Sequence, residues 1–116
     1  MNKRVKWSVF AVVVVLFGFA GYQLSAAGRY ANQMQAKYDS EVLLYSASWC
    51  SVCASARRYF ARNDIDYVEI DVETDTSNND EFRQLGGLGV PLIVVKGKVM
   101  RGFEPNRISE WVSEPN

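Results

Sequence analysis

The stretch "YSASWCSVCASARRYF", Tyr45 to Phe60, holds the only two cysteines of the 116-residue chain, Cys50 and Cys53. Cys53, Ala56 and Phe60 recur at i, i+3 and i+7, the spacing of one helix face. The run before them, "EVLLYS" (Glu41–Ser46), has the length and apolar content of a buried strand. The C-x-x-C pair therefore stands where a strand stops and a helix begins. Four backbone N–H groups lack partners there and the helix dipole is positive, so a thiolate is favoured at Cys50 and its pKa is expected below the free value of about 8.5. Cys53, one turn on, is expected to be less exposed.

Downstream, "DYVEIDV" (Asp66–Val72) alternates Tyr67, Glu69 and Asp71 against Val68, Ile70 and Val72, which predicts a strand. "ETDTSNND" reads as caps and turn residues, and "NDEFRQL" (Asn79–Leu85) as a short helix closed by Gly86 and Gly87. "PLIVV", "KG" and "KVMRGF" form a hairpin turning at Lys96-Gly97. "PNRISEWV" (Pro105–Val112) begins with proline and carries the stripe Ile108, Trp111, Val112, a last helix. The order is β-α-β-α-β-β-α, an α/β fold. Its first two strands should be parallel through a right-handed crossover, and the hairpin should extend the sheet antiparallel.

Upstream, the basic flank 1–6 precedes Trp7 to Leu24, eighteen residues without a charge. As a helix they span roughly the 30 Å of a hydrocarbon core. This predicts an N-terminal transmembrane helix, with Trp7 and Tyr22 at the interfaces, or a signal peptide cut after "SAA" (Ser25–Ala27). Either reading sends the rest of the chain out of the cytoplasm, to a compartment where disulfides persist. Residues 25–40 are polar and their apolar periodicity is weak, so they read as a spacer before a domain at 41–113. Past residue 27 the chain has ten basic and thirteen acidic side chains, a poor balance for nucleic acid, which is not an expected partner.

Two cysteines admit three roles. As a structural staple, a bridge across two residues constrains little chain entropy. A zinc site needs about four ligands, and the chain offers no third cysteine and no histidine; an intermolecular soft-metal or cluster site stays open. A redox pair needs nothing more than the junction already provides. Arg57 and Arg58 follow in the helix and read as a solvated face.

From Glu41 to Val112 the chain resembles the glutaredoxin branch of the thioredoxin superfamily. The resemblance rests on "VLLYS", "WCSVC", "YVEIDVE", "GVP" (Gly89–Pro91) and "KVMRGFEPNRI" in this order and spacing. It implies a thioredoxin-like fold of glutaredoxin size. It implies Cys50 as nucleophile, Cys53 as resolving cysteine and Pro91 as a cis-proline facing them. Val90 would offer its backbone to an extended substrate, and Trp49 would form an apolar rim. The family's lysine before the first cysteine, its aromatic within C-x-x-C and its threonine before Val-Pro are replaced by Ala47, Val52 and Gly89. A glutathione site is therefore not evident. The stretches "FRQLGGLGVP" and "RGFEPNRI" are similar to glutaredoxin-like redoxins that serve ribonucleotide reductase. The buried carboxylate that thioredoxins place six residues before the first cysteine is Leu44 here.

The sequence thus reads as a single-pass membrane protein with an extracytoplasmic (periplasmic) thiol-disulfide oxidoreductase domain, or a secreted form of it. It would act on protein thiols and disulfides, with a redox partner and no cofactor beyond the cysteine pair. The alternatives are a non-catalytic soft-metal or cluster module and a redox-inactive docking adapter.

Overall fold

The computed structural model describes residues 2–115, and for residues 22–25 the backbone alone; the side chains of Tyr22, Leu24 and Ser25, named above, lie outside the described residues. The elements are α1 (Lys3–Tyr38), β1 (Val42–Ser46), α2 (Ser51–Arg62), β2 (Val68–Asp71), α3 (Thr76–Gln84), β3 (Leu92–Val95), β4 (Lys98–Arg101) and α4 (Pro105–Ser113). The sheet order is β2-β1-β3-β4. Strand β1 pairs parallel with β2 and antiparallel with β3, and β4 closes the hairpin, the expected α/β thioredoxin-like arrangement.

Strand β1 is buried along its whole length because both sheet faces are covered. Leu43 and Tyr45 point into one layer with Ile70, Phe82, Leu85 and Val94. Val42 and Leu44 point into the other, with Ala56 and Phe60 of α2 and Ile108 of α4. Alternation in β2 sorts as the sequence implies: Val68, Ile70 and Val72 join the first layer, Tyr67 the second. Lys96 and Gly97 take successive positive φ values of 49° and 80°, the backbone a two-residue hairpin requires.

Helix α3 starts at Thr76, three residues before the expected Asn79. Asp75 caps it, its side chain accepting from the Ser77 N–H at 2.8 Å, so part of the polar run read as turn is helix.

The larger correction concerns residues 25–40. They are not a spacer: from Ala26 on, helix α1 lies on the sheet. Ala31 is completely buried among Leu43, Tyr45 and Val94, with Tyr30, Met34 and Tyr38 packed around it. Their spacing of four residues is a helix stripe, too sparse in aliphatic residues to stand out by periodicity. The helix ends at Asp39 (φ 51°), where the Ser40 N–H reaches back to the Gln35 carbonyl at 3.1 Å. The first half of α1 is long and apolar enough to cross a membrane, and its apolar window is not buried among the described residues; Trp7, Phe10, Leu16, Phe17 and Phe19 are all exposed.

Candidate functional site

The loop Ala47–Trp49 carries the chain from β1 into α2. Cys50 is the N-cap of α2, its backbone extended (φ −81°, ψ 111°) and its N–H donated to the Ala47 carbonyl at 3.2 Å. The Cys50 Sγ accepts the Cys53 N–H at 3.2 Å, filling the place an Asp or Ser oxygen usually takes. That N–H is one of the unpartnered donors of a helix start, and it points at sulfur. Cys50 and Cys53 are disulfide-bonded, with Cα atoms 5.2 Å apart. Cys53 is fully buried and Cys50 nearly so, 7 % exposed.

Val90 packs on Ala47, Cys50 and Cys53, so the two segments joined in the sequence reading are brought together. The Val90–Pro91 bond is cis. Pro91 is buried, and its carbonyl accepts the Gly102 N–H at 2.8 Å. Among the described residues, no hydrogen bond engages the Val90 N–H or carbonyl. Trp49 stands 70 % exposed at the rim, its indole N–H donated to Glu73 Oε1 at 2.6 Å. Val52 and Leu88 are exposed as well, Leu88 at 89 %.

Behind α2 runs a second polar group that sequence reading missed. The Ser46 hydroxyl donates to Glu69 Oε2 at 2.6 Å, and the Arg57 Nε donates to both Glu69 oxygens at 3.0 and 2.8 Å. Hydrogen bonding from Arg57 holds the Glu69 carboxyl below its ordinary range, against the opposing push of burial. Arg57 is therefore a half-buried ion-pair partner and not the solvated side chain expected, while Arg58 is exposed and donates to Ser55 Oγ at 3.1 Å. The available signal was the alternation of β2, which puts Glu69 on the face that α2 covers.

Among the described residues there is no group of three or more metal-ligating side chains. What the site contains is two sulfurs that can open and close one bond, at the positive end of a helix, beside an unpaired length of backbone.

The glutaredoxin family model matches residues 42–100, which take in the cysteine pair and the sheet up to Met100 in β4. The chain belongs to the glutaredoxin family. A glutaredoxin-like 8.6 kDa protein encoded in a rubredoxin operon of Clostridium pasteurianum is 28 % identical over 74 residues, 63 % of this chain and 99 % of that one. Among solved structures, the glutaredoxin of Archaeoglobus fulgidus superposes with a TM-score of 0.57 at 21 % identity, covering 65 % of this chain and 88 % of that one. The glutaredoxin-like NrdH-redoxin of Escherichia coli, described as having a thioredoxin-like activity profile, superposes at 0.58 with 20 % identity, covering 64 % and 97 %. At these identities the two structures establish the fold of this glutaredoxin. The family and the Cys50–Cys53 pair together point to thiol-disulfide redox chemistry in general.

Proposed function

We propose that this glutaredoxin is a membrane-tethered thiol-disulfide oxidoreductase that exchanges disulfides with protein thiols outside the cytoplasm. The observation that carries the reading is Cys50 as the N-cap of α2, its sulfur accepting a helix N–H and bonded to the buried Cys53. In the reduced protein that N–H and the helix dipole stabilise the Cys50 thiolate. The thiolate attacks a substrate disulfide, one substrate sulfur leaves as thiolate, and a Cys50–substrate mixed disulfide forms. The Cys53 thiol, losing its proton, then attacks Cys50, restoring the internal bond and releasing the second substrate thiol. Run in reverse, the same steps oxidise a dithiol.

A protein substrate is favoured by the free Val90 backbone, suited to an extended segment, and by the exposed Trp49, Val52 and Leu88 around it. The cycle needs no cofactor beyond the two cysteines. The apolar residues 7–24 with the preceding Lys3, Arg4 and Lys6 favour a tether with its domain outside.

Trapping tests this. Cys53→Ser, expressed as the full chain, should accumulate mixed disulfides with proteins, and Cys50→Ser should not. Absence of both adducts, with soft metal copurifying in stoichiometric amount, sinks the oxidoreductase in favour of a metal-holding module.

A further inference from the structure

The turn at Asp39–Glu41 makes α1 and β1 run in opposite directions. The chain travels away from the apolar segment along α1 and comes back toward it along β1. Contacts fix the two ends. Gln35 donates to the Glu41 carbonyl at 2.6 Å, and Asn32 lies against Gly97, at the end of the sheet where β1 starts opposite Val95. Ala26, Ala27 and Tyr30 instead share a groove with Gly86 and Arg101. Arg101 stands opposite Leu92, which stands opposite Tyr45, so this is the end where β1 finishes and Cys50 and Val90–Pro91 follow. Five strand residues return about 17 Å. Twelve helix residues, Ala27 to Tyr38, cover about the same distance. The groove contacts put the end of β1 level with Ala26 to Tyr30, just past the apolar stretch that closes at Leu24. The longest dimension of the molecule, 62 Å, is little more than the roughly 54 Å of a 36-residue helix, as a domain lying beside α1 requires.

The charges at this end divide between the two edges of the sheet. Arg83 and Arg101 line the groove at this end, and no acidic side chain pairs with either among the described residues. Asp71, opposite Ser46, and Glu73, which accepts the Trp49 indole N–H, stand at this same end along the β2 edge, across the sheet from Arg101. The basic edge is the one beside the emerging helix.

We infer that the Cys50–Cys53 pair is held facing the membrane surface, and that its client is a cysteine pair in a membrane-adjacent segment of an integral membrane protein. This rests on the proposed tether and redox chemistry. The exposed apolar rim of Trp49, Val52 and Leu88 then meets a partner at the depth where Trp is ordinarily accommodated.

The three tryptophans of the chain provide the test. Trp7 lies in the apolar helix, Trp49 at the cysteines, and Trp111 beside Lys98 at the far end of the sheet, the Lys98 Nζ 5.5 Å from its ring centroid. Full chains retaining one tryptophan each, the others changed by Trp→Phe, are placed in phosphatidylcholine–phosphatidylglycerol vesicles containing a headgroup-labelled nitroxide lipid. Trp7 and Trp49 should be quenched and Trp111 should not. Quenching at Trp7 with Trp49 as bright as Trp111 overturns the orientation alone. No quenching at Trp7 overturns the tether and the inference with it.

The client class is tested with Cys53→Ser and two synthetic transmembrane peptides whose single cysteine is activated as a thionitrobenzoate disulfide. In one the cysteine lies at the headgroups; in the other it is carried about 30 Å out on a helical stalk. Cys50 thiolate forms the Cys50–peptide disulfide and thionitrobenzoate leaves. The headgroup-level peptide should react about tenfold faster, from its higher effective concentration. Equal rates, in a protein that still reacts with a small aryl disulfide, sink the orientation; no reaction with the small disulfide sinks the redox reading beneath it.

Discussion

Tyr38 of α1 and Tyr45 of β1 donate their hydroxyls to the same carboxylate oxygen, Glu81 Oε2, at 2.7 and 3.3 Å. Lys37 completes the site as the ion-pair partner of Glu81 Oε1. Glu81 is itself buried, so three elements converge on one carboxylate inside the apolar layer. Burial first, and the nearby Glu81 charge after it, push the Tyr45 phenol far above the ordinary tyrosine range, which keeps it a donor at every accessible pH.

Removing that acceptor should loosen α1 from the sheet. Glu81→Ala leaves the fully buried Tyr45 hydroxyl without a partner, at a cost of about 2–3 kcal/mol. Glu81→Gln, which still accepts, should cost less. Urea unfolding gives the stabilities, and limited proteolysis between residues 26 and 40 reports the detached helix. A Glu81→Ala protein within about 0.5 kcal/mol of the parent would show that the network does not hold the helix.

The Glu81 site also marks where the sequence stops being legible. The strands could be read because β1 and β3 are short apolar runs and β2 alternates cleanly; the helices α2 and α4 because Cys53–Ala56–Phe60 and Ile108–Trp111–Val112 keep helix spacing. The C-x-x-C junction was readable for the same reason. The docked half of α1 was not, because its contacts come from a lone alanine, Ala31, and from tyrosines, of which Tyr38 finds its hydrogen-bond partner Glu81 in the distant helix α3. Glu81 hid within a run of polar residues, and only its position four before Leu85 placed it on the buried stripe. Long-range polar pairing leaves no period in a sequence; for Ser46–Glu69–Arg57 the alternation of β2 gives the face of Glu69 but not its partners.

Acid should weaken that second network. The Glu69 carboxyl titrates below its ordinary 4.5 because Arg57 and Ser46 bond its charged form. A carboxylate depressed in the folded state stabilises above the unfolded value and loses that contribution as pH falls through the folded value. The affected window therefore lies below about pH 4.5. Glu69 is about a third exposed, so the effect should stay under about 1 kcal/mol. The drop in urea midpoint from about pH 5 to about pH 3 should be smaller in Glu69→Gln than in the parent. An equal drop in both would remove Glu69 from the acid response.

Two glycines before Val90 should respond oppositely to a methyl group. A Cβ on Gly87 would fall inside the Phe82 ring's contact shell, against a buried aromatic that cannot swing away. Gly87→Ala should cost about 1–3 kcal/mol by overpacking. At Gly89 a Cβ meets nothing within 4 Å, and Gly89→Ala should stay within about 0.5 kcal/mol of the parent. Thermal unfolding of the pair decides it; equal stabilities would mean that the 86–90 loop yields freely.

The exposed rim should matter to protein clients and not to the fold. Trp49 and Leu88 are largely solvent-exposed, and Trp49 spends its one donor on Glu73, which fixes the ring in place without burying it. Truncating either removes little packing, so Trp49→Ala and Leu88→Ser should unfold within about 0.5 kcal/mol of the parent. Against a protein disulfide the same changes remove apolar anchors worth more than about 1 kcal/mol each, which raises KM about fivefold or more. A small aryl disulfide reaches Cys50 without touching the rim, so its rate should not move. Parallel losses on both substrates would instead mean that the substitutions disturb the cysteines themselves, and that Trp49 positions the N-terminus of α2 rather than the client.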